Sequence, residues 1–356
     1  MPQKDPANQT HMLREIFSQP ACWQECLEQL ETDPVIADIL THSSLDSEWL
    51  FIGCGTSYYL AQAAAASFTM ITGAEARAIP ASEILLFPEL AFRKSQKIAP
   101  VVISRSGRTT ETVKTAKAIQ ADIVAFTCAP DQPLAQNSRY PVVLSAANEQ
   151  STVMTRSFSS ILLGLQHLAA RLVNQRAVLD ALQSVPGVVE PLLREIPSRL
   201  QDFVATHDFE DYVFLGQGPF YGVANEAALK VMESSSSYAQ SFHSLEFRHG
   251  PKSIAGPKTL IGFFLSDAGF EMELDLLEEV KALASATIVV TPRSNRRLQA
   301  AADVLIEIPI AGPECARLAA CTPWGQLLGL YTGLKKGINP DSPRNLTQVV
   351  ILDDFS

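Results

Sequence analysis

The sequence predicts an α/β protein of two similar domains, each a parallel sheet with helices on both faces. One observation is an internal repeat: WLFIGCGTSYYLAQAAAAS (49–67) matches DYVFLGQGPFYGVANEAALK (211–230) at a shift of 163 residues, which brings Gly53 onto Gly216. The other is that short apolar runs alternate with helix-like stretches of about 10–15 residues, a pattern typical of parallel sheets covered by their connecting helices.

Each copy of the repeat contains the same elements in the same order. A short apolar strand, a Gly-rich turn and an Ala-rich helix come first. A later strand, in APVVISRSGRT and TLIGFFLSDAG, ends in Ser, two residues and Gly, so that Ser104 meets Ser266 and Gly107 meets Gly269 at a shift of 162. Helix-like ETVKTAKAIQ and strand-like IVAFTC then match MELDLLEEVKALA and TIVVTP. We therefore expect Gly53 and Gly216, and likewise Ser104 and Ser266, at equivalent strand ends.

The domain organisation follows from the repeat and from the positions of proline. We expect the boundary near PGVVEPLLREIP (186–197), where three prolines punctuate a helical stretch. The C-terminal tail has three turn signals and then a strand-like VVIL. The predicted parts are an N-terminal arm (1–20), a phosphate-binding first domain (21–190), a catalytic second domain (195–340) and a tail at the active site (341–356).

Composition and charge restrict the class of protein. The 356 residues are 47% hydrophobic and 19% charged, which excludes global disorder. A net charge of −10 gives an overall field that repels nucleic acid and anionic membranes, so neither is an expected partner. The N-terminal segment lacks the apolar core of a signal peptide, and the longest apolar runs are too short to span a bilayer. We expect a cytoplasmic protein.

The cysteines predict neither a disulfide framework nor a metal site. Six of them are scattered through the long chain. Cys22 and Cys26 are four residues apart on a helix-like stretch, but no second Cys/His pair stands at ligand spacing. We expect no metal and no cofactor, so that acid–base chemistry would be metal-free.

Two turns of the first half are candidates for anion binding. Cys54-Gly55-Thr56-Ser57 follows one strand, and Ser104 to Thr110 follows another. Exposed N–H groups, a positive helix end and hydroxyl donors suit a phosphate, although neither turn matches GxxxxGK[ST] or GxGxxG. Glycines in such turns also serve geometry alone, and hydroxyl residues also serve as helix caps. The second turn is the stronger candidate because five hydroxyls surround one Gly: Ser104, Ser106, Thr109, Thr110 and Thr112.

The second half carries candidates for acid–base chemistry instead of a hydroxyl cluster. Glu226, Lys230 and Glu233 lie at i, i+4 and i+7, hence on one face of an Ala/Leu-rich helix. A solvated surface with an i,i+4 ion pair is the ordinary alternative for such a pattern. Here the helix follows a buried-type strand and ends in SSSS, which favours a position of Glu233 near a loop. His249 lies in Glu246–Lys252, which packs an acid, a base and two cations before and after a Pro turn.

Taken together and in this order, the motifs resemble the sugar-isomerase (SIS) domain family. The likeness is to the tandem-SIS isomerase half of glutamine–fructose-6-phosphate aminotransferase and to stand-alone proteins similar to glucosamine-6-phosphate deaminase, and it covers the chain from about residue 12. The motifs are Gly53-Cys54-Gly55-Thr56-Ser57, Ser104-Arg105-Ser106-Gly107-Arg108-Thr109, Glu149 with Thr155-Arg156-Ser157-Phe158, Glu226 to Glu233, Glu246-Phe247-Arg248-His249-Gly250-Pro251 and Pro343-Arg344-Asn345-Leu346.

The resemblance implies a role for each matching residue. Glu233 would move a proton between C1 and C2 of a sugar phosphate. His249 would assist ring opening and would come from the partner subunit of a homodimer. The implied substrate-binding residues are Gly55, Thr56, Ser57, Ser104, Arg105, Ser106, Thr109 and Gln348.

Three departures from the family pattern change the expectation. The glutaminase domain is missing, so glutamine is not the expected source of ammonia. Gln348 stands where the synthase has a Lys that contributes to ring chemistry, and an amide forms no Schiff base. Arg105 and Arg108 replace a Gln and an acidic residue, which suggests an altered or more anionic ligand unless Arg108 faces solvent.

We therefore expect an aldose–ketose isomerase or deaminase acting on a hexose or aminohexose 6-phosphate. The alternative is a sugar-phosphate-binding sensor or regulatory SIS protein. That alternative predicts a missing base, whereas Glu233 and His249 are both present. A generic nucleotide-binding α/β protein lacks any fingerprint in this chain.

Overall fold

The computed structural model describes residues 10–92 and 97–352, and the parts of the predicted arm and tail at 1–9 and 353–356 lie outside the described residues. The chain divides into two compact units. Unit A contains Ala21–Glu149, Arg156–Gln183 and the chain from Thr347. Unit B contains the chain up to Pro20, Gln150–Thr155 and Ser184–Leu346.

Each unit contains one five-stranded parallel sheet, which confirms the predicted fold class. The strands of unit A are β1 (Glu48–Gly53), β2 (Ala76–Pro80), β3 (Ile98–Ile103), β4 (Val124–Thr127) and β5 (Tyr140–Val143), in the order β2-β1-β3-β4-β5. Those of unit B are β6 (Asp211–Gly216), β7 (Ala239–Phe242), β8 (Thr259–Phe264), β9 (Ala286–Thr291) and β10 (Val304–Glu307), in the order β10-β9-β8-β6-β7. Counted along the chain, both orders are 2-1-3-4-5, so the sequence repeat is a repeat of topology.

Helices connect the strands and cover the sheets. The described helices are α1 (His11–Phe17), α2 (Gln19–Thr32), α3 (Pro34–His42), α4 (Thr56–Thr72), α5 (Ala81–Leu86), α6 (Pro88–Ala91), α7 (Thr110–Ala118), α8 (Pro133–Gln136), α9 (Arg156–Leu172), α10 (Arg176–Thr206), α11 (Phe220–Ser235), α12 (Phe270–Ala282), α13 (Arg296–Ala301) and α14 (Leu318–Lys335). Short 3₁₀ turns lie at Ser145–Ala147, Leu245–Arg248, Pro251–Ile254 and Glu314–Arg317. None of these helices combines the length and hydrophobicity needed to cross a bilayer.

The central strands are buried on both faces because helices pack on each side of the sheet. All six residues of β1 and all six of β8 are buried. In unit A, Leu50, Val102 and Ala125 from three neighbouring strands join one apolar cluster with residues of the surrounding helices. Burial of this kind, at roughly 25 cal/mol per Å² of apolar surface, is the main stabilising contribution in each unit.

The prolines expected to mark a boundary lie inside a helix. α10 runs for 31 residues through Pro186, Pro191 and Pro197. An apolar stripe continues through them, since Val185, Val189, Leu193, Ile196 and Leu200 are all buried. Packing of this stripe compensates for the backbone hydrogen bonds that proline cannot make.

The strand-like VVIL of the tail is not a strand. Within the described residues 347–352 no strand is formed. Val350 instead accepts a hydrogen bond from the Thr110 N–H at 3.2 Å, and the Leu352 N–H donates to Thr110 Oγ1 at 2.9 Å. The main chain of this segment therefore pairs with Thr110, the first residue of α7, instead of with a sheet edge.

Close packing of α11 on α14 fixes the helix that carries the candidate acid–base residues. Gly325, Gly329 and Gly333 stand four residues apart on α14 and face α11. A Cβ atom at Gly329 would lie 2.6 Å from the carbonyl oxygen of Lys230, and one at Gly325 would lie 2.5 Å from the Cβ of Ala227. Only glycine permits this approach of the two backbones.

We expect Gly329→Ala to lower the free energy of unfolding by about 1–3 kcal/mol, the usual cost of overpacking a core. The added methyl group meets backbone atoms of α11, which cannot move without shifting the whole helix. The matched control is Gly187→Ala in α10, where a Cβ meets nothing within 4 Å. This variant should raise the free energy of unfolding by up to about 1 kcal/mol. Urea unfolding of both variants measures the effect, and equal stabilities of the two would contradict this account of the helix contact.

Candidate active site

The turn after β1 presents hydroxyl groups at the start of α4. Gly55 has a φ of 54° and precedes Thr56 and Ser57, the first two residues of the helix. Gly53 cannot be replaced without strain, because a Cβ there would lie 2.5 Å from the carbonyl oxygen of Ser57. Both glycines therefore have a geometric role, and that role brings the chain directly into a helix N-terminus, which attracts anions.

The turn after β3 is closed by hydroxyl groups of its own residues. Ser104 is buried, and its Oγ accepts a hydrogen bond from the Gly107 N–H at 3.2 Å. Gly107 has a φ of 66°, which favours glycine. The Arg108 N–H approaches Ser106 Oγ at 3.4 Å. α7 begins at Thr110 with Thr109 as its N-cap, and the Thr109 side chain makes no capping hydrogen bond.

The two turns lie at the same edge of the same sheet. β1 and β3 are hydrogen-bonded neighbours, and the chain order 2-1-3-4-5 reverses direction between them. In open α/β sheets this reversal marks the crevice where ligands bind beyond the carboxyl ends of the strands. The thiol of Cys54 lies 3.4 Å from the hydroxyl of Thr112, which connects the first turn to the first turn of α7. This edge can therefore bind an oxyanion such as a phosphate.

Arg105 lies inside the protein rather than beside open solvent. Its guanidinium is 3.6 Å from a carboxylate oxygen of Glu149, and the two side chains are 6% and 0% exposed. Arg105 also donates to the carbonyl oxygen of Gln348 at 2.7 Å, and the Gln348 side chain donates to the Glu149 carbonyl at 3.2 Å. The Ser157 hydroxyl completes the group by donating to the Glu149 carboxylate. Arg105 thus holds the tail to the turn, while Arg108 is exposed.

In unit B, a fully buried lysine lies between two carboxylates on α11. Lys230 is 0% exposed, its Nζ is 3.4 Å from Glu226 Oε1, and it donates a hydrogen bond to Glu233. The Glu226 side chain is 2% exposed and that of Glu233 is 18% exposed. Glu226, Lys230 and Glu233 form a triad, and Glu233 is the member that solvent or a substrate reaches.

The electrostatics of the triad favour a charged lysine. Burial alone lowers the pKa of Lys230, but the Glu226 and Glu233 carboxylates outweigh it, and the net effect raises the pKa above its ordinary value. Lys230 is thus a cation at neutral pH and orients the Glu233 carboxylate. A carboxylate held in this way can take a proton from a carbon acid and return it.

His249 lies on an exposed turn of unit B. It follows the 3₁₀ turn Leu245–Arg248, and its N–H donates to the Glu246 carbonyl at 3.0 Å. Two cations of this segment, Arg248 and Lys252, both bind Glu279 of α12, at 3.0 and 2.8 Å. These contacts lower the pKa of Glu279 and fix the turn that presents the imidazole.

The structure thus locates every residue that the sequence singled out. Within unit A it brings the two turns together with Arg105 and Gln348, and within unit B it joins Glu233 to Lys230. The surface alternative for the α11 charges is wrong, since Glu226 and Lys230 are buried. The sequence placed Lys230 on the helix face of Glu226 and Glu233 but gave it no role of its own; the signal was the spacing, with Glu226 four residues before Lys230 and Glu233 three residues after it. No metal site is formed by the His, Cys, Asp and Glu residues of 10–92 and 97–352.

The described residues thus form an α/β chain with two like sheets, two hydroxyl-bearing turns at one sheet edge in unit A and a lysine-bound carboxylate in unit B. Residues 47–171 match the family model of the SIS domain. Unit B repeats the topology of this stretch, so the chain carries two SIS-like repeats.

Similar proteins extend the comparison to nearly the whole chain. Glutamine–fructose-6-phosphate aminotransferase (isomerizing) of Chlamydia pneumoniae is 28% identical over 371 residues, which cover 96% of this chain and 58% of that protein. The corresponding protein of Methanothermobacter thermautotrophicus is 26% identical and covers 96% and 57%. This chain therefore spans just under three fifths of the length of these curated relatives.

Two solved structures have the same fold over the full length. Glucosamine-6-phosphate deaminase of Thermotoga maritima has a TM-score of 0.76 at 26% identity, covering 96% of this chain and 100% of that one. Tagatose-6-phosphate ketose/aldose isomerase of Escherichia coli has a TM-score of 0.82 at 22% identity, covering 99% and 98%.

Proposed function

We propose that this protein is a phosphosugar isomerase or deaminase acting on a hexose or aminohexose 6-phosphate. The observation that carries the proposal is the triad on α11, where the buried Lys230 holds the partly exposed Glu233. A surface ion pair needs no such burial, whereas a proton-transfer base needs both a fixed position and access to substrate. The oxyanion turns of unit A and the similarity to aminotransferases and to a deaminase support the same reaction class.

In the proposed isomerisation, Glu233 removes the proton from C2 of the open-chain aldose and returns it to C1. The hydroxyl proton at C2 leaves as the C1 carbonyl oxygen takes one up, so aldose and ketose have the same composition. With an aminohexose, the same transfer gives a C2 imine, and addition of water to it releases ammonia and the ketose. The two reactions share the proton transfer between C2 and C1, and the aminohexose reaction adds hydrolysis of the imine.

Other residues have supporting roles in the proposal. Thr56, Ser57, Ser104, Ser106 and Thr109 would bind the phosphoryl group through hydroxyl and N–H groups. His249, on its exposed turn, would assist ring opening as a residue supplied by the partner in a homodimer. A cytoplasmic location belongs to the same proposal.

A panel of sugar phosphates tests the proposed function. The protein is incubated with the 6-phosphates of glucose, fructose, glucosamine, galactosamine and tagatose, and both sugar conversion and free ammonia are followed. Interconversion of an aldose and a ketose without ammonia indicates an isomerase, and stoichiometric ammonia indicates a deaminase. Binding without any conversion would contradict the enzyme and favour a sugar-phosphate sensor.

Ser106→Ala should raise the Kd for a sugar 6-phosphate by about tenfold or more, since a hydrogen bond to a charged group contributes about 1.5–3 kcal/mol. Ser106 is half-buried in the turn after β3, so its loss removes a donor without opening the core. The control is Ser198→Ala on the exposed face of α10, which should leave the Kd unchanged. Calorimetric titration with fructose 6-phosphate and glucosamine 6-phosphate measures both, and an unchanged Kd in Ser106→Ala would count against the site.

A further inference from the structure

The turn after β8 has the same internal hydrogen bond as the anion turn after β3. In unit B the Gly269 N–H donates to Ser266 Oγ at 3.0 Å, and in unit A the Gly107 N–H donates to Ser104 Oγ at 3.2 Å. A helix follows each glycine, α12 in unit B and α7 in unit A. The second copy has therefore kept this hydrogen bond, although Gly269 has a φ of −100° where Gly107 has one of 66°, and it lacks the hydroxyl cluster.

A carboxylate of the protein occupies the unit B turn. Glu273 Oε2 accepts hydrogen bonds from the Ser266 N–H at 2.9 Å and from the Ser266 hydroxyl at 2.7 Å. Its Oε1 accepts one from the Ser244 hydroxyl at 2.6 Å. Glu273 and Ser244 are fully buried and Ser266 is 3% exposed. Three hydrogen bonds of 2.6–2.9 Å converge on one buried carboxylate and form a complete small-anion site.

The counterpart in unit A is not held in its turn. Glu111 stands four residues after Gly107, as Glu273 stands four residues after Gly269. In the described chain, Glu111 Oε2 is buried and accepts no hydrogen bond. The Ser104 N–H is also engaged elsewhere, since it donates to the Phe126 carbonyl at 3.1 Å. The unit A turn therefore has no carboxylate bound to its serine.

One extra residue explains why the two copies differ. Ser104 directly follows β3, whereas Leu265 separates Ser266 from the end of β8. Leu265 makes the ladder hydrogen bond in that place, from its N–H to the Val290 carbonyl at 2.9 Å. The Ser266 N–H is thereby released from the sheet and points to Glu273.

We infer that the turn Ser266–Gly269 is an anion-binding site closed by the chain's own Glu273 carboxylate. Its natural occupant is that side chain, and the class of external ligand that replaces it is a small carboxylate. A second part of the inference rests on the proposed function. It states that each chain binds one phosphoryl group, at the unit A turn, rather than two.

Chemical rescue of Glu273→Ala tests the closed site. The substitution removes two carbons and two oxygens, the heavy atoms of acetate, and leaves the donors of Ser244 and Ser266 around the space. Thermal unfolding is followed in chloride buffer against sodium acetate and sodium formate at constant ionic strength. We expect a lower Tm than that of the unsubstituted protein, restored in a saturable way by acetate or formate, because a ligand that binds only the folded state stabilises it.

Two comparisons make the rescue specific. The unsubstituted protein and Glu273→Gln, whose side chain fills the space, should show no saturable response to acetate. Where Glu273→Ala is unfolded in chloride, the same titration is read as recovery of folded protein by circular dichroism. A Glu273→Ala protein that neither acetate nor formate stabilises or refolds would overturn the inferred site.

The phosphoryl count is read separately from the rescue. Equilibrium dialysis of the unsubstituted protein with fructose 6-phosphate or glucosamine 6-phosphate should give one equivalent per chain, abolished or weakened in Ser106→Ala. Two equivalents would overturn the inference while leaving the proposed function intact. Absence of any sugar-phosphate binding, with acetate rescue still observed, would reject the proposed function and its count but not the closed anion site.

Discussion

Replacing Glu233 with glutamine is expected to lower kcat by about 10²–10⁴-fold, the usual contribution of a positioned general base. The amide has nearly the same shape and still meets the Lys230 ammonium through its oxygen, but it cannot accept the proton of a carbon acid. Because Glu233 is proposed to act on the proton and not on the phosphoryl group, the Kd for the sugar phosphate should stay within a few-fold. Steady-state kinetics and calorimetric titration separate the two effects.

The matched control is Glu190→Gln, a glutamate of α10 that forms an exposed i,i+4 pair with Arg194. This variant should retain full activity, since such pairs contribute little. A mixing experiment examines the proposed dimer. Inactive Glu233→Gln mixed with inactive His249→Ala should regain part of the activity if His249 comes from the partner subunit. Full activity of Glu233→Gln alone would refute its role as the base.

Replacing Lys230 with methionine is expected to lower the free energy of unfolding by about 3–5 kcal/mol at neutral pH, because it removes one partner of a buried ion pair. Glu226 is 2% exposed, so water cannot take over the role of the cation. Urea unfolding at neutral pH measures the effect.

Two controls distinguish burial from simple loss of charge. Lys258→Met removes the cation of an ion pair in which both partners are about two-thirds exposed, and should cost about 0–1 kcal/mol. Lys230→Met combined with Glu226→Gln removes both charges of the buried pair and should recover much of the stability. Equal losses for Lys230→Met and Lys258→Met would show that the triad is not the buried network described.

In the unsubstituted protein, the contribution of Lys230 to stability should be lost only at alkaline pH. Because the two carboxylates raise the pKa of Lys230 above its ordinary 10.5, the stability that this group contributes is fully present below that value. It is lost only as the pH rises through the folded-state pKa.

The sequence repeat was sufficient to predict two parallel sheets, since the alternation of apolar strands and helices is a local property. Gly53 and Gly216 end β1 and β6 as expected. Ser104 and Ser266 both follow equivalent strands, but the extra Leu265 has no signature in the sequence pattern. Its effect is seen only in the fold, where the Leu265 N–H makes the sheet hydrogen bond and leaves the Ser266 N–H for Glu273.

Tertiary contacts account for what local patterns missed. The prolines of α10 favour an interrupted helix by propensity, and packing of the apolar stripe overrides that preference. From the sequence, Arg105 is a cation at a candidate anion turn. In the structure it pairs with Glu149, which lies 44 residues further along the chain. The position of the helix that carries Lys230 depends on α14, whose glycines come about 100 residues later. The candidate turns and the candidate base were recognisable from residue types, whereas their partners required the fold.

Transfer of a carbon-bound proton by Glu233 is the central claim, and its most direct measurement is proton exchange in deuterated water. The protein is incubated with fructose 6-phosphate, and separately with glucosamine 6-phosphate, and deuterium at C1 and C2 is followed by NMR. We expect the unsubstituted protein to introduce deuterium at one of these carbons of at least one sugar, and Glu233→Gln to introduce none at a comparable rate. A protein that binds either sugar without exchanging its carbon-bound protons, or a Glu233→Gln variant that exchanges them equally fast, would contradict the claim.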